Sequence, residues 1–210
     1  MALPTAVHKA LQCVLFFTIV GQQISQVGLV DSFTSTGAAT FYTRGRPDSG
    51  TNGSGEGDSS GSPLGRDWPA LVVEASVSQS LALLREDVRW WFSASDHGVK
   101  IVLLLKFSQS QDQLVIEKWE EDEVPYPPGP ITRSRARQYD IRLVRRQEII
   151  ISRDGTDPVS YKVDGGALVL EFKLLFLRDP DSEQGEGDVV MSVPRLQRHA
   201  EHVWGRAAEG

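Results

Sequence analysis

The sequence predicts an α/β domain: a mixed sheet flanked by helices, with a β-rich C-terminal extension. Three observations point there. Leu71-Val72-Val73 is an apolar, β-branched run of the kind that forms a strand buried on both faces. Val77, Leu81, Leu84, Val88 and Trp91 then recur at three- and four-residue steps, one face of a helix. Val99 to Leu105 is a second strongly apolar strand. Together Leu71–Phe107 reads as a βαβ unit, with parallel strands and a right-handed crossover.

The other elements follow in chain order. Ala10 to Val20 is apolar, preceded by Lys9 but followed by no small-residue cleavage site, and it is shorter than the ~20 residues that span a bilayer. Apolar positions continue at Ile24, Val27 and Val30, so residues 1–30 are expected to supply a helix, from Leu11 onward, that packs on the sheet. An intracellular location, cytoplasmic or nuclear, with no membrane partner is the matching expectation. Ala38 to Tyr42 reads as a short strand. Ser49 to Gly65 is dominated by Gly and Ser, and a disordered loop is expected over 49–66. Ser78 or Ser80 can cap the helix of the βαβ unit, and Asp96-His97-Gly98 supplies a turn after it.

Leu114 to Trp119 is a strand in a hairpin with the one before it. The core is therefore expected over residues 31–120, with 121–210 an extension of the same domain. In that extension come an acidic run (Glu120 to Glu123), a Pro-rich stretch (Pro125 to Pro130) and six arginines between Arg133 and Arg146. Glu148 to Ser152 and Ala167 to Leu177 read as strands. A last helix opens at Ser192, with Pro194 in its first turn and Val193, Leu196, Ala200, Val203 and Trp204 as its buried stripe.

With 210 residues the chain can bury a substantial core. Its net charge of −6 and pI near 5.3 argue against a constitutive, charge-driven nucleic-acid binder. The single cysteine, Cys13, excludes an intrachain disulfide and a cysteine metal cluster. His8, His97, His199 and His202 show no joint metal-ligand spacing, and His199 and His202, three apart on the last helix without a third ligand nearby, are expected to be surface histidines.

Two carboxylates stand out. Asp48 follows Pro47, and Glu74 ends a buried strand, where an ionised carboxylate is costly without a partner. If their segments neighbour each other, Asp48 and Glu74 can share one Mg²⁺, since hard cations take oxygen ligands. Amides at the start of the following helix offer Glu74 a metal-free alternative. Glu171-Phe172-Lys173 is a literal Glu-x-Lys in an apolar strand pattern, for which a cross-strand salt bridge or solvated face is the favoured reading. Arg133 to Arg146 is the candidate contact for a nucleic-acid partner, set against a solvated segment that offsets the acidic run.

Pro47-Asp48, the strand ending in Glu74, the helix and the strand from Val99 together resemble the PD-(D/E)XK nuclease superfamily. PALVVEASVSQSLALLREDVRWWFSASDHGVKIVLLLKF and GAATFYTRGRPD look most like its fungal members. The resemblance implies a restriction-endonuclease-like core, a metal-dependent phosphodiesterase or nuclease-like function, and Asp48 and Glu74 at the metal positions. The superfamily places a lysine two residues after the glutamate, and that position is Ser76 here. Lys106, expected at the same strand end as Glu74, or Gln79, which can orient water without charge, are the candidates to replace it. A non-catalytic interaction module on the same fold is the alternative.

Overall fold

The computed structural model describes residues 6–43, 53–125, 139–155 and 160–209. Its centre is a seven-stranded sheet in the order β1-β4-β5-β6-β7-β8-β9. The strands are β1 (Phe33–Ser35), β4 (Ser59–Pro63), β5 (Leu71–Ser76), β6 (Ile101–Ser108), β7 (Gln113–Pro125), β8 (Tyr139–Asp154) and β9 (Ser160–Asp164). Two small pairs stand apart, β2 (Thr40–Tyr42) with β3 (Ser54–Glu56) and β10 (Leu168–Leu170) with β11 (Val189–Met191). Among the described strands only β5 and β6 run parallel, and helix α2 (Leu81–Ala94) joins them, so the βαβ unit stands as read. Ser80 caps α2 by accepting the Leu83 N–H, and Asp96 and His97 take left-handed φ at its end.

The alternation of strand residues divides the core in two. Leu71, Val73, Ile101, Leu103 and Leu105 face one side. There they meet α1, a helix over residues 6–26, and α4 (Val193–Ala208). Val72, Val102 and Leu104 face the other, under Leu84, Val88, Trp91 and Phe92 of α2. The apolar N-terminal stretch is part of the first core, with Leu11, Leu15, Ile19 and Ile24 fully buried. Among the described residues no helix is long and apolar enough to cross a membrane.

The structure departs from the sequence reading in four places. The Gly/Ser segment is not a loop throughout: Ser54–Glu56 and Ser59–Pro63 are strands, and β4 pairs antiparallel with β5. Its small side chains let Phe16 and Phe33 lie over Gly61, while Gln12 accepts from Ser59 and the Gly37 carbonyl from Ser60. Ala167 to Leu177 is not one strand, because a short helix α3 (Phe172–Phe176) starts after β10. Glu171 and Lys173 therefore part: Glu171 binds Lys118 at 2.7 Å, whereas Lys173 reaches Asp179 at 3.3 Å. Ser192 contributes its carbonyl, not its hydroxyl, to the start of α4. His199 is no surface histidine, since its spacing from Leu196 and Val203 puts it on the buried stripe.

The acidic run belongs to β7, and Arg145 and Arg146 of β8 lie against it across a bulge at Lys118/Trp119. Arg146 pairs with Asp122 at 2.9 Å and Glu120 at 3.3 Å, and Arg145 with Glu117 at 2.9 Å. Arg146 thus offsets part of the acidic run, whereas Arg145 is committed to Glu117 and Glu148 outside it. Arg133, Arg135 and Arg137 lie outside the described residues. So does Asp48.

Candidate functional site

The site lies at the C-terminal end of the parallel pair, where two strand ends, the β5–α2 connection and the start of β4 meet. Even-numbered positions of β5 face α2, which puts Glu74 and Ser76 on that side. The antiparallel register of Ser59 with Val73 runs on to place Asp58 beside Glu74. The Ala75 N–H donates to Asp58 Oδ2 at 2.8 Å, fixing that carboxylate against the residue after Glu74. His8, reaching over from α1, lies 3.3 Å from the same oxygen and 2.9 Å from the Ala75 carbonyl. The hydrogen bond with Asp58 raises the His8 pKa against the opposing effect of burial.

Glu74 is held by one neutral donor, the Trp91 indole N–H, at 2.6 Å. Burial pushes its carboxyl up to about 8, with Asp58 and Asp87 adding to the shift and the indole opposing it. Asp87, on α2, is raised in turn by burial and then by Glu86 and Asp58. Glu56, Glu74, Glu86 and Asp87 line an open cavity of about 480 Å³ whose aromatic wall is Trp90 and Trp91. Trp90 and Trp91 meet edge to face at 5.0 Å, and Trp91 and Phe92 are buried, so the aromatic end of α2 packs on the sheet.

Lys106 pairs in register with Ser76 across the parallel strands and shares its face. Its ammonium donates to the Val77 carbonyl, and burial lowers its pKa. Gln79 stands in the β5–α2 connection, its N–H bonded to Ser76 Oγ at 2.8 Å and its side chain exposed. The structure thus brings Glu74, Lys106 and Gln79 to one pole and adds Asp58, Asp87 and His8. Asp58 carries little signal in the sequence, because it precedes a strand made of Ser, Gly and Pro. Its chain signal was only its distance before the Glu74 strand.

A donor set made of carboxylate oxygens fits a hard divalent ion such as Mg²⁺ or Mn²⁺. Among the described residues no three His, Cys, Asp or Glu side chains converge as a cage. Mg²⁺ needs no such cage, since one or two carboxylates with water and substrate phosphate suffice. Burial first, and then Asp58 and Asp87, raise the Glu74 carboxyl, and a divalent cation held there would oppose that shift. No protein-family model, curated protein or solved structure matches the chain.

Proposed function

We propose that this protein is a metal-dependent phosphodiesterase on a restriction-endonuclease-like core, with Asp58 and Glu74 as the metal-holding carboxylates. The observation that carries this reading is the strand register that sets Asp58, just before β4, beside Glu74 at the end of β5, near enough to raise its carboxyl. The antiparallel β4–β5 and parallel β5–β6 arrangement, joined by α2, supports the core assignment. Asp48, the carboxylate singled out from the sequence, is a further candidate ligand that the same experiment tests.

A bound Mg²⁺ would polarise the phosphodiester and lower the pKa of an attacking water. The chain's own residues divide the remaining work. Lys106 brings from the neighbouring strand the positive charge that Ser76 cannot supply, available to a phosphate oxygen in the transition state. Gln79 can hold the water by its amide. His8 fixes the Asp58 carboxylate, and the Trp91 indole fixes Glu74.

A second reading, an interaction module that has lost catalysis, is favoured by Ser76 at the lysine position. Calorimetric titration with MnCl₂, on wild type and on Asp58→Asn, Glu74→Gln and Asp48→Asn, tests both. Binding lost in Asp58→Asn and Glu74→Gln, with thermal unfolding intact, supports the metal site. Cleavage of plasmid DNA or an activated phosphodiester that is then lost in Lys106→Met supports the enzyme. Metal binding without hydrolysis leaves the second reading, and no binding at millimolar Mn²⁺ sinks the first.

A further inference from the structure

On the opposite side of the sheet, α1 and α4 lie side by side and leave a groove of about 620 Å³ between them. That falls within the roughly 300–1,000 Å³ range of small-molecule sites. Its walls differ in chemistry. The α1 wall carries Val14 and Phe17, and the α4 wall carries Arg195, Arg198 and His202. None of the residues lining it is acidic, although the chain has a net charge of −6.

Elsewhere Arg85, Arg145, Arg146 and Arg178 are matched to carboxylates. Here Arg195 meets neutral amides and, among the described residues, no carboxylate: it donates to Gln22 Oε1 at 3.1 Å and to the Gln23 side-chain oxygen. The Arg198 carbonyl accepts from His202 Nδ1 at 2.8 Å, and its guanidinium has no carboxylate partner among the described residues. Two positive charges thus face the groove without a matching negative one.

Two further observations point to an occupant. His199, among the groove's lining residues, is 3% exposed, and neither ring nitrogen finds a hydrogen-bond partner among the described residues. A buried imidazole left this way gives up the hydrogen bonds that water would make to it unless something else satisfies it. Burial, aided by His202, lowers its pKa to about 4, so at neutral pH it offers one N–H and one lone pair. Phe17 is 64% exposed on the other wall, while Leu15 and Ile19 on either side of it are fully buried. Gly21 lets its ring lie back along the helix, since a Cβ there would come within 2.9 Å of it.

We propose that this groove binds a small amphipathic oxyanion, a carboxylate or phosphate monoester on an apolar chain. Arg195 and Arg198 pair with the charged head, whose oxygens suit the planar guanidinium fork. Val14 and Phe17 receive the apolar body. His199 gives the floor its polar contact, which orients the ligand. The site is separate from the Asp58–Glu74 pole and does not depend on its function.

The test is a fluorescence displacement assay on the full chain, with anilinonaphthalene sulfonate as reporter. Decanoate, decyl phosphate, decanol and decyltrimethylammonium compete, each below its micelle concentration. Saturable, one-to-one displacement by decanoate or decyl phosphate, and not by the neutral or cationic compounds, is the expected result. The tighter of the two names the head group. An Arg195→Gln/Arg198→Gln double variant should bind about tenfold more weakly or worse, with an unchanged thermal midpoint because both side chains reach solvent. Phe17→Ser should weaken binding as well. The proposal is overturned if no anion saturates the site, if decanol competes equally, or if the double variant binds like wild type.

Discussion

Glu74 holds a proton in the folded chain that the unfolded chain releases over most of the range in which proteins are handled. Its folded pKa near 8 stands above the ordinary 4.5, so between those values the native state binds more protons than the unfolded one. Stability contributed by that proton is complete below pH 4.5 and is lost as pH rises through 8. The slope has a ceiling of about 1.4 kcal/mol per pH unit. His8, raised through Asp58, also loses its contribution with rising pH, so wild type alone does not isolate the carboxyl. Glu74→Gln does. Urea unfolding at pH 5, 6.5 and 8 should show the variant gaining on wild type as pH rises and equalling or exceeding it at pH 8. Millimolar Mn²⁺ at pH 8 should raise the wild-type midpoint and leave the variant's alone. A variant whose pH profile parallels wild type would mean that Glu74 ionises normally.

At the scale of elements, β4 is where the chain and its pattern part company. Ser59-Ser60-Gly61-Ser62-Pro63 has no apolar residue, yet its first four residues are buried. It sits between β1 and β5 because its smallness lets other side chains cover it. A Cβ on Gly61 would lie 2.5 Å from the Phe33 ring and 3.0 Å from the Thr34 carbonyl. Gly61→Ala should therefore destabilise the protein by about 1–3 kcal/mol, read as a lower urea midpoint. Gly187→Ala, with nothing within 4 Å, should be neutral. The βαβ unit was legible because its strands and helix each bury a periodic apolar face, which is the signal a sequence carries best. Strand β4 was not, since strand preference depends on neighbours that the chain supplies from far away. The same gap hid Asp58, whereas Glu74 and Lys106 were found because apolar runs frame them. His199 could have been placed: its spacing from Leu196 and Val203 is that of the buried stripe.

The first and last described helices, α1 and α4, pack together on one face of the sheet. Among the described residues, the other face is covered by α2 with Phe41 and Trp68 beside it, and this one by α1 and α4 together with α3 and the β10–β11 pair. Leu11, Leu15, Ile19 and Ile24 are all fully buried there, beside Leu196, Ala200 and Val203 of α4. If α1 is integral to the fold, its two faces should respond oppositely to truncation. Leu15→Ala removes buried methyl groups and leaves a cavity between helix and sheet, for a loss of about 2–5 kcal/mol. Phe17→Ser, two residues on, changes a side chain that is 64% exposed and should alter stability by no more than about 0.5 kcal/mol. Urea denaturation followed by circular dichroism measures both. Equal, small effects would mean that α1 contributes little to the folded core and lies loosely on the sheet. The expected contrast would show that the sheet's first face needs the chain's opening residues, and that the oxyanion groove between α1 and α4 is built on a rigid wall.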